Sequence, residues 1–95
     1  MARVTVKLFG VLRVDTHLAK EEIDADRLEE IFDLLNRKVD EIYQENKKTN
    51  PMLEAPDKLS FKDAVVFIDG KRVSGKHRRL ADGEEIWLMS PASGG

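Results

Sequence analysis

One stretch of this chain, and only one, repeats its apolar residues at helical spacing for long enough to make a full amphipathic helix, and that limits what the rest can build. From Asp26 onward Leu28, Ile31, Phe32, Leu35, Val39 and Ile42 recur on one side, while Glu29, Glu30, Asp33, Arg37, Asp40 and Glu41 fall on the other. Asp26 with Glu29 three residues later reads as a capping-box start. Acidic residues fill the first turn, where the helix dipole favours them, and Lys47 and Lys48 suit the far end. Asn50-Pro51 and Ala55-Pro56 block continuation, so Thr49 to Lys62 is expected to be an irregular connection with a short extended piece at Leu59 to Phe61.

The flanking segments follow a different period. Arg3 to Phe9 alternates, with Val4, Val6 and Leu8 on one face and Thr5 and Lys7 on the other, which predicts a strand. Gly10 interrupts it, and the weaker alternation of Val14, Leu18 and Ile23 predicts a turn and a second strand, making a hairpin. Ala64 to Ile68 reads as a buried strand ending at the turn dipeptide Asp69-Gly70. A polar loop is expected over Lys71 to Arg79, then a turn at Asp82-Gly83 and a last strand over Glu85 to Met89. In that strand Ile86 and Leu88 share one face, so Trp87 and Met89 must share the other. Both faces are therefore apolar, and something is expected to cover the second: the protein's own long loop or a partner, with Phe9 a further member of the patch. The order strand, strand, helix, short strands, strand belongs to the α+β class.

At 95 residues and 41% hydrophobic content the chain suits a single domain, read as residues 1–91 followed by a flexible tail over 92–95. Sixteen basic against eighteen acidic residues, a net charge of −2, argue against a dedicated nucleic-acid binder. Without cysteine there are no disulfides, thiolate nucleophiles or common zinc clusters, which is compatible with a reducing compartment. No signal-peptide core opens the sequence and no apolar run approaches the roughly 20 residues that span a bilayer. The expectation is a cytoplasmic, soluble protein with neither nucleic acid nor membrane as a partner.

The sequence closes on Gly94-Gly95, an improbable ending at an average glycine usage of about 7%. Two residues without Cβ make the thinnest peptide thread, able to enter a narrow tunnel and present the α-carboxylate of Gly95 at its end. An unperturbed α-carboxyl has a pKa of about 3.3–3.7, so at neutral pH it is a resonance-stabilised anion and a poor electrophile. Adenylation by ATP would convert it to an acyl-phosphate anhydride that a sulfur or amine nucleophile can capture.

Several pieces then combine: Val-Lys-Leu-Phe-Gly-Val-Leu-Arg (Val6 to Arg13), the helix after it, Val66-Phe67-Ile68-Asp69-Gly70, the run Leu80 to Ile86 and the Pro-x-x-Gly-Gly ending. Together, over nearly the whole chain, they resemble the small subunit of molybdopterin synthase, the MoaD-like branch of the ubiquitin-like β-grasp proteins. The resemblance implies a mixed sheet packed on one main helix, with the first and last strands as parallel central neighbours. It further implies that Gly95 is adenylated by a ThiF/MoeB-type activating enzyme, which uses the ATP, and is converted to a thiocarboxylate with sulfur from a donor protein. The tail would then enter a MoaE-like large synthase subunit, where the sulfur passes to the pterin precursor of the molybdenum or tungsten cofactor. Such a chain is a non-autonomous part of a sulfur transferase and binds no cofactor itself. Gly94 and Gly95 are the expected reacting residues, and Trp87, Met89, Pro91, Ala92, Ser93, Arg78 and Arg79 the expected partner contacts.

Rival readings use the same fold or the same surface. A ThiS-like thiazole sulfur carrier would carry the same thiocarboxylate, a ubiquitin-like modifier would join Gly95 to a lysine, and a plain interaction module would use the Trp87–Met89 face alone. Gly70 to His77 matches the spacing of a phosphate-binding loop except at its last position, where His77 stands for the magnesium-binding hydroxyl, and no helix follows. Lys71, Arg72, Lys76, Arg78 and Arg79 form a local basic patch, either a solvated loop or a dock for an acidic partner. His17 and His77 are isolated, so no metal site is expected.

Overall fold

The computed structural model describes residues 1–55 and 58–90. Its elements in chain order are β1 (Ala2–Leu8), α1 (Gly10–Thr16), β2 (Lys20–Ala25), α2 (Leu28–Lys47), a single 3-10 turn (Phe61–Asp63), β3 (Val65–Ile68), β4 (Lys71–Val73) and β5 (Glu85–Met89). The strands form one sheet in the order β2-β1-β5-β3-β4. Alternation decides its inner face. Val4, Val6 and Leu8 from β1, Ile23 and Ala25 from β2, Val66 and Ile68 from β3, and Ile86 and Leu88 from β5 are all buried. Helix α2 lays Leu28, Ile31, Phe32, Leu35 and Val39 across them, and together they form one hydrophobic core. Each fully buried Leu or Ile contributes about 1.5–3 kcal/mol relative to exposure. β1 and β5 run parallel, with Val6 beside Ile86 and Leu8 beside Leu88, and the remaining pairs are antiparallel. A mixed sheet curled around one helix in this order is the ubiquitin-like β-grasp, as the resemblance implies.

Four local expectations are corrected. The hairpin at Gly10 is instead two strands joined through helix α1; β2 pairs antiparallel to β1 with Ile23 opposite Val4. Helix α1 has seven residues, and its Val11 and Val14 are exposed while Leu12 alone leans on the core, so no stripe exists to read. The Thr16 hydroxyl donates to the Leu12 carbonyl (2.6 Å) and accepts from the Leu18 N–H (3.1 Å), and His17 closes the helix at φ 63°. Helix α2 starts one residue later than Asp26 and Glu29 indicate. Arg27 holds the cap position, and it is the Glu30 carboxylate that accepts from the Asp26 and Arg27 N–H groups (2.9 and 3.0 Å).

The extended piece expected at Leu59 to Phe61 forms no strand: Ser60 keeps extended backbone (φ −136°, ψ 142°), but the 3-10 turn begins at Phe61. Leu59 is buried in the core, its backbone bonded twice to the Asn36 amide (2.7 and 2.9 Å), and Phe61 opens the 3-10 turn with its ring edge-on to Phe32. Finally, the polar loop begins with strand β4. Asp69 and Gly70 both take positive φ (50° and 84°), the backbone of a two-residue hairpin turn whose twist matches its strands. A side chain at Gly70 meets no steric neighbour, so Gly70→Ala isolates the backbone strain. It is expected to cost about 1–2 kcal/mol in urea unfolding without altering the sheet's circular dichroism signature.

The rest of that loop explains the false phosphate-loop match. The first N–H groups of α2, which a phosphate would occupy, already donate to backbone carbonyls: Leu28 to Arg78 and Glu29 to Lys76, each at 2.9 Å. His77 turns its ring to the Glu29 carboxylate (2.9 Å).

Candidate functional site

Strand β5 sits at the centre of the sheet, and its outward residues set the chemistry of the face that α2 leaves uncovered. Trp87 is flanked in register by Lys7 on β1 and Phe67 on β3, and Met89 by Val65. Phe9, just past β1, keeps extended backbone and donates its N–H to the Leu88 carbonyl (3.0 Å), prolonging the central ladder by one rung. That places its ring edge-on to the indole with centroids 5.6 Å apart. Phe9, Phe67, Trp87, Met89 and Val65 therefore make one outward apolar patch, each residue partly or wholly open to solvent.

The polar side of the patch is held by Glu85. Its carboxylate accepts the indole N–H of Trp87 and pairs with the Lys7 ammonium at 3.1 Å. The Trp87 hydrogen bond, then the bond and charge of Lys7, hold the Glu85 carboxyl below the ordinary glutamate value, so it is ionised at neutral pH. Among the described residues, the long connection does not cover this face. Its described residues dock on the helix side, through Leu59 to Asn36 and through the Tyr43 hydroxyl donating to the Leu53 carbonyl (3.2 Å). Of the two covers considered for the Trp87–Met89 face, the internal one is supplied by none of the described residues of the connection.

Arg78 and Arg79 lie elsewhere. Arg78 reaches Glu84 with two parallel hydrogen bonds (2.9 and 3.0 Å), and the same carboxylate accepts the Ala81 N–H at 2.8 Å. Arg79 pairs through its backbone with Arg27. Glu84 immediately precedes β5, whereas the chain leaves toward its tail after Met89, five residues and about 16 Å farther along at roughly 3.3 Å per residue. Arg78 is thus anchored at the start of the central strand and Arg79 against Arg27, whereas Met89 closes the strand's far end. Pro91, Ala92, Ser93, Gly94 and Gly95 lie outside the described residues.

The Arg78–Glu84 pair makes its own testable statement. The hydrogen bond from Arg78 holds the Glu84 carboxyl below, and the bond to Glu84 holds the Arg78 guanidinium above, its ordinary value. A depressed carboxyl contributes stability that is present above its unfolded value, near pH 4.3, and is lost as pH falls through the folded value. Glu84→Gln should therefore cost about 1 kcal/mol at pH 7, with the gap to wild type closing in urea titrations repeated toward pH 3.

Phe67 and Lys7, which complete the patch, are invisible as its members in the sequence, because only strand register brings them beside Trp87; Glu85, two residues before it, shares its face by alternation. Among the described residues, no group of three or more metal-ligating side chains converges, and no helix is long and apolar enough to cross a membrane.

No family model and no curated protein matches the sequence. Solved structures do. Small archaeal modifier protein 1 from Methanosarcina acetivorans aligns over 100% of this chain and 98% of its own, with a TM-score of 0.69 at 24% identity. A Pyrococcus furiosus protein assigned as molybdopterin converting factor, subunit 1, aligns over 97% and 100%, with a TM-score of 0.65 at 20% identity. A chain from the complex of subunits 1 and 2 of the molybdopterin-converting factor of Helicobacter pylori aligns over 98% and 99%, with a TM-score of 0.51 at 20% identity. At these identities the likeness shows the fold: the chain has the ubiquitin-like β-grasp architecture.

Proposed function

We propose that this protein is a sulfur carrier of molybdopterin biosynthesis, the small subunit of a molybdopterin synthase. The observation that carries the reading is the central strand itself: β5, parallel to β1, leads directly toward the sequence Pro91-Ala92-Ser93-Gly94-Gly95 beside an outward aromatic patch. A β-grasp body gives a rigid, recognisable handle, and the glycine end supplies the only group that needs to react. A carboxylate oxygen of Gly95 attacks the α-phosphorus of ATP on an activating enzyme, pyrophosphate leaves, and the acyl adenylate forms. A persulfide of a donor protein then attacks the acyl carbon and AMP departs with the bonding electrons, giving an acyl disulfide; a second thiol attacks the donor's sulfur, forms a disulfide with it and expels the terminal thiocarboxylate of Gly95. The Helicobacter pylori complex, which pairs subunit 1 with subunit 2, supports a large-subunit partner for this chain. ATP belongs to the activating enzyme, and the chain binds no cofactor of its own.

The likeness to small archaeal modifier protein 1 favours a second reading, in which a lysine amine captures the same activated carboxyl and the chain becomes a protein modifier. Intact mass spectrometry of the protein purified from its own cells separates the two. A carrier shows a population heavier by the difference between sulfur and oxygen at the C-terminus, whereas a modifier shows conjugate ladders on denaturing gels. An unmodified carboxylate with no conjugates removes both.

A further inference from the structure

The short antiparallel bridge that ties the loop after β4 to the start of α2 sets two arginines face to face. The Leu28 N–H donates to the Arg78 carbonyl and the Leu80 N–H to the Asp26 carbonyl, each at 2.9 Å, so Arg27 and Arg79 lie opposite each other between two hydrogen bonds. In a pair of that kind the side chains leave on the same side and approach most closely. We propose that Arg27 and Arg79 together clamp a phosphate group, which fastens the loop to the head of α2.

Like charges directly opposite one another on neighbouring strands oppose folding. Among the described residues, no ion pair joins either guanidinium to a carboxylate. The acidic groups of the flanking segments are engaged elsewhere. Glu84 holds Arg78, Glu30 accepts the Asp26 and Arg27 N–H groups, Asp26 faces the Met1 amine (3.8 Å) and Asp82 accepts the Arg3 N–H (2.7 Å). Two unit charges and two planar donor forks are thus gathered at one spot of a chain whose net charge is −2. A carboxylate has two oxygens and satisfies one fork. A phosphate monoester offers three terminal oxygens and close to two negative charges at neutral pH, which suits both. The positive end of the α2 dipole adds to the same field at the Arg27 cap. The first N–H groups of that helix are taken by loop carbonyls, so the contact falls to the side chains and not to the backbone.

The test is an NMR titration of the full-length chain with inorganic phosphate at neutral pH and constant ionic strength, with acetate as the control anion. The backbone resonances of Arg27, Leu28, Arg79 and Leu80 are expected to move along saturable curves with phosphate and to stay in place with acetate. Arg27→Gln and Arg79→Gln should each weaken phosphate binding at least about 10-fold, and Arg27→Lys, which keeps the charge but not the fork, should weaken it less. Arg37→Gln, on an exposed position farther along α2, should leave it unchanged. Thermal melts give a second reading: about 100 mM phosphate should raise the melting temperature of wild type by at least about 4 °C, and that of Arg79→Gln by clearly less. Adenosine monophosphate separates the sources of the phosphate. Tighter binding than inorganic phosphate assigns a nucleotide and equal or weaker binding the free anion, and either supports the clamp. Shifts that never saturate, equal shifts with acetate, undiminished binding in Arg27→Gln and Arg79→Gln, or an equal phosphate-induced rise in both melts would overturn it and leave a solvated arginine pair. None of these readouts depends on Gly95, so the carrier reading stands or falls separately.

Discussion

Deleting Gly95, or adding one residue after it, is expected to abolish sulfur transfer to the pterin precursor while leaving thermal unfolding of the domain unchanged. The argument is one of reach. One residue of extended chain moves the carboxyl carbon by about 3.3–3.6 Å, and misplacing a reacting atom by as little as 1 Å can cost about 100-fold in rate. The extended tail also ends in a residue with a Cβ unless glycine is chosen, which widens the thread at its narrowest point. Adding Gly and adding Ala after Gly95 therefore separate length from width: both should lose at least about 100-fold in thiocarboxylate formation, followed by intact mass in a reconstituted assay. Wild-type rates in either variant would remove the terminal carboxyl from the mechanism. Among the described residues the core is closed by residues up to Leu88.

The second large effect lies in that core. Leu88 is fully buried on the inner face of the central strand, in register with Leu8 on one side and Val66 on the other. Leu88→Ala is expected to cost about 3 kcal/mol, from lost transfer energy and from the cavity left between sheet and helix. For a domain of this size that corresponds to a fall of roughly 12–24 °C in melting temperature. Met89→Ala, one residue along and facing outward, should cost less than about 1 kcal/mol while weakening any docking at the patch. Equal losses from the two substitutions, measured by urea unfolding, would contradict a strand with one face against the helix and the other facing outward.

Much of this arrangement was legible from residue pattern. Helix α2, strand β1 and strand β5 were placed almost to the residue, because each carries enough repeats of its period to be told from noise. The Asp69-Gly70 turn was legible because both positions require positive φ, which few other residue pairs accept. The misreadings share a physical cause. Helix α1 is two turns long and leaves Val11 and Val14 in water, so its apolar residues describe no face. Strand β4 has three residues, two of them charged, and owes its form to hydrogen bonds from β3. The phosphate-loop spacing of Gly70 to His77 is not among them: it lacks the hydroxyl and the following helix in the sequence itself, and the loop's carbonyls occupy the N-terminus of α2.

The site divides the same way. Trp87 and Met89 were separable from Ile86 and Leu88 by alternation alone, and Gly94-Gly95 by composition alone, since both are properties of neighbours in the chain. By itself the sequence determined which segments bury a face, where the chain turns and which end is chemically distinctive, because those follow from local periodicity and backbone freedom. Only the tertiary structure decided that Lys7, Lys20, Phe67 and Arg72 align with Trp87, that Arg78 is bound to Glu84 away from that patch, and that the long loop lies behind the helix. Those are matters of strand order and register, set by contacts between residues far apart in sequence, and no local pattern encodes them.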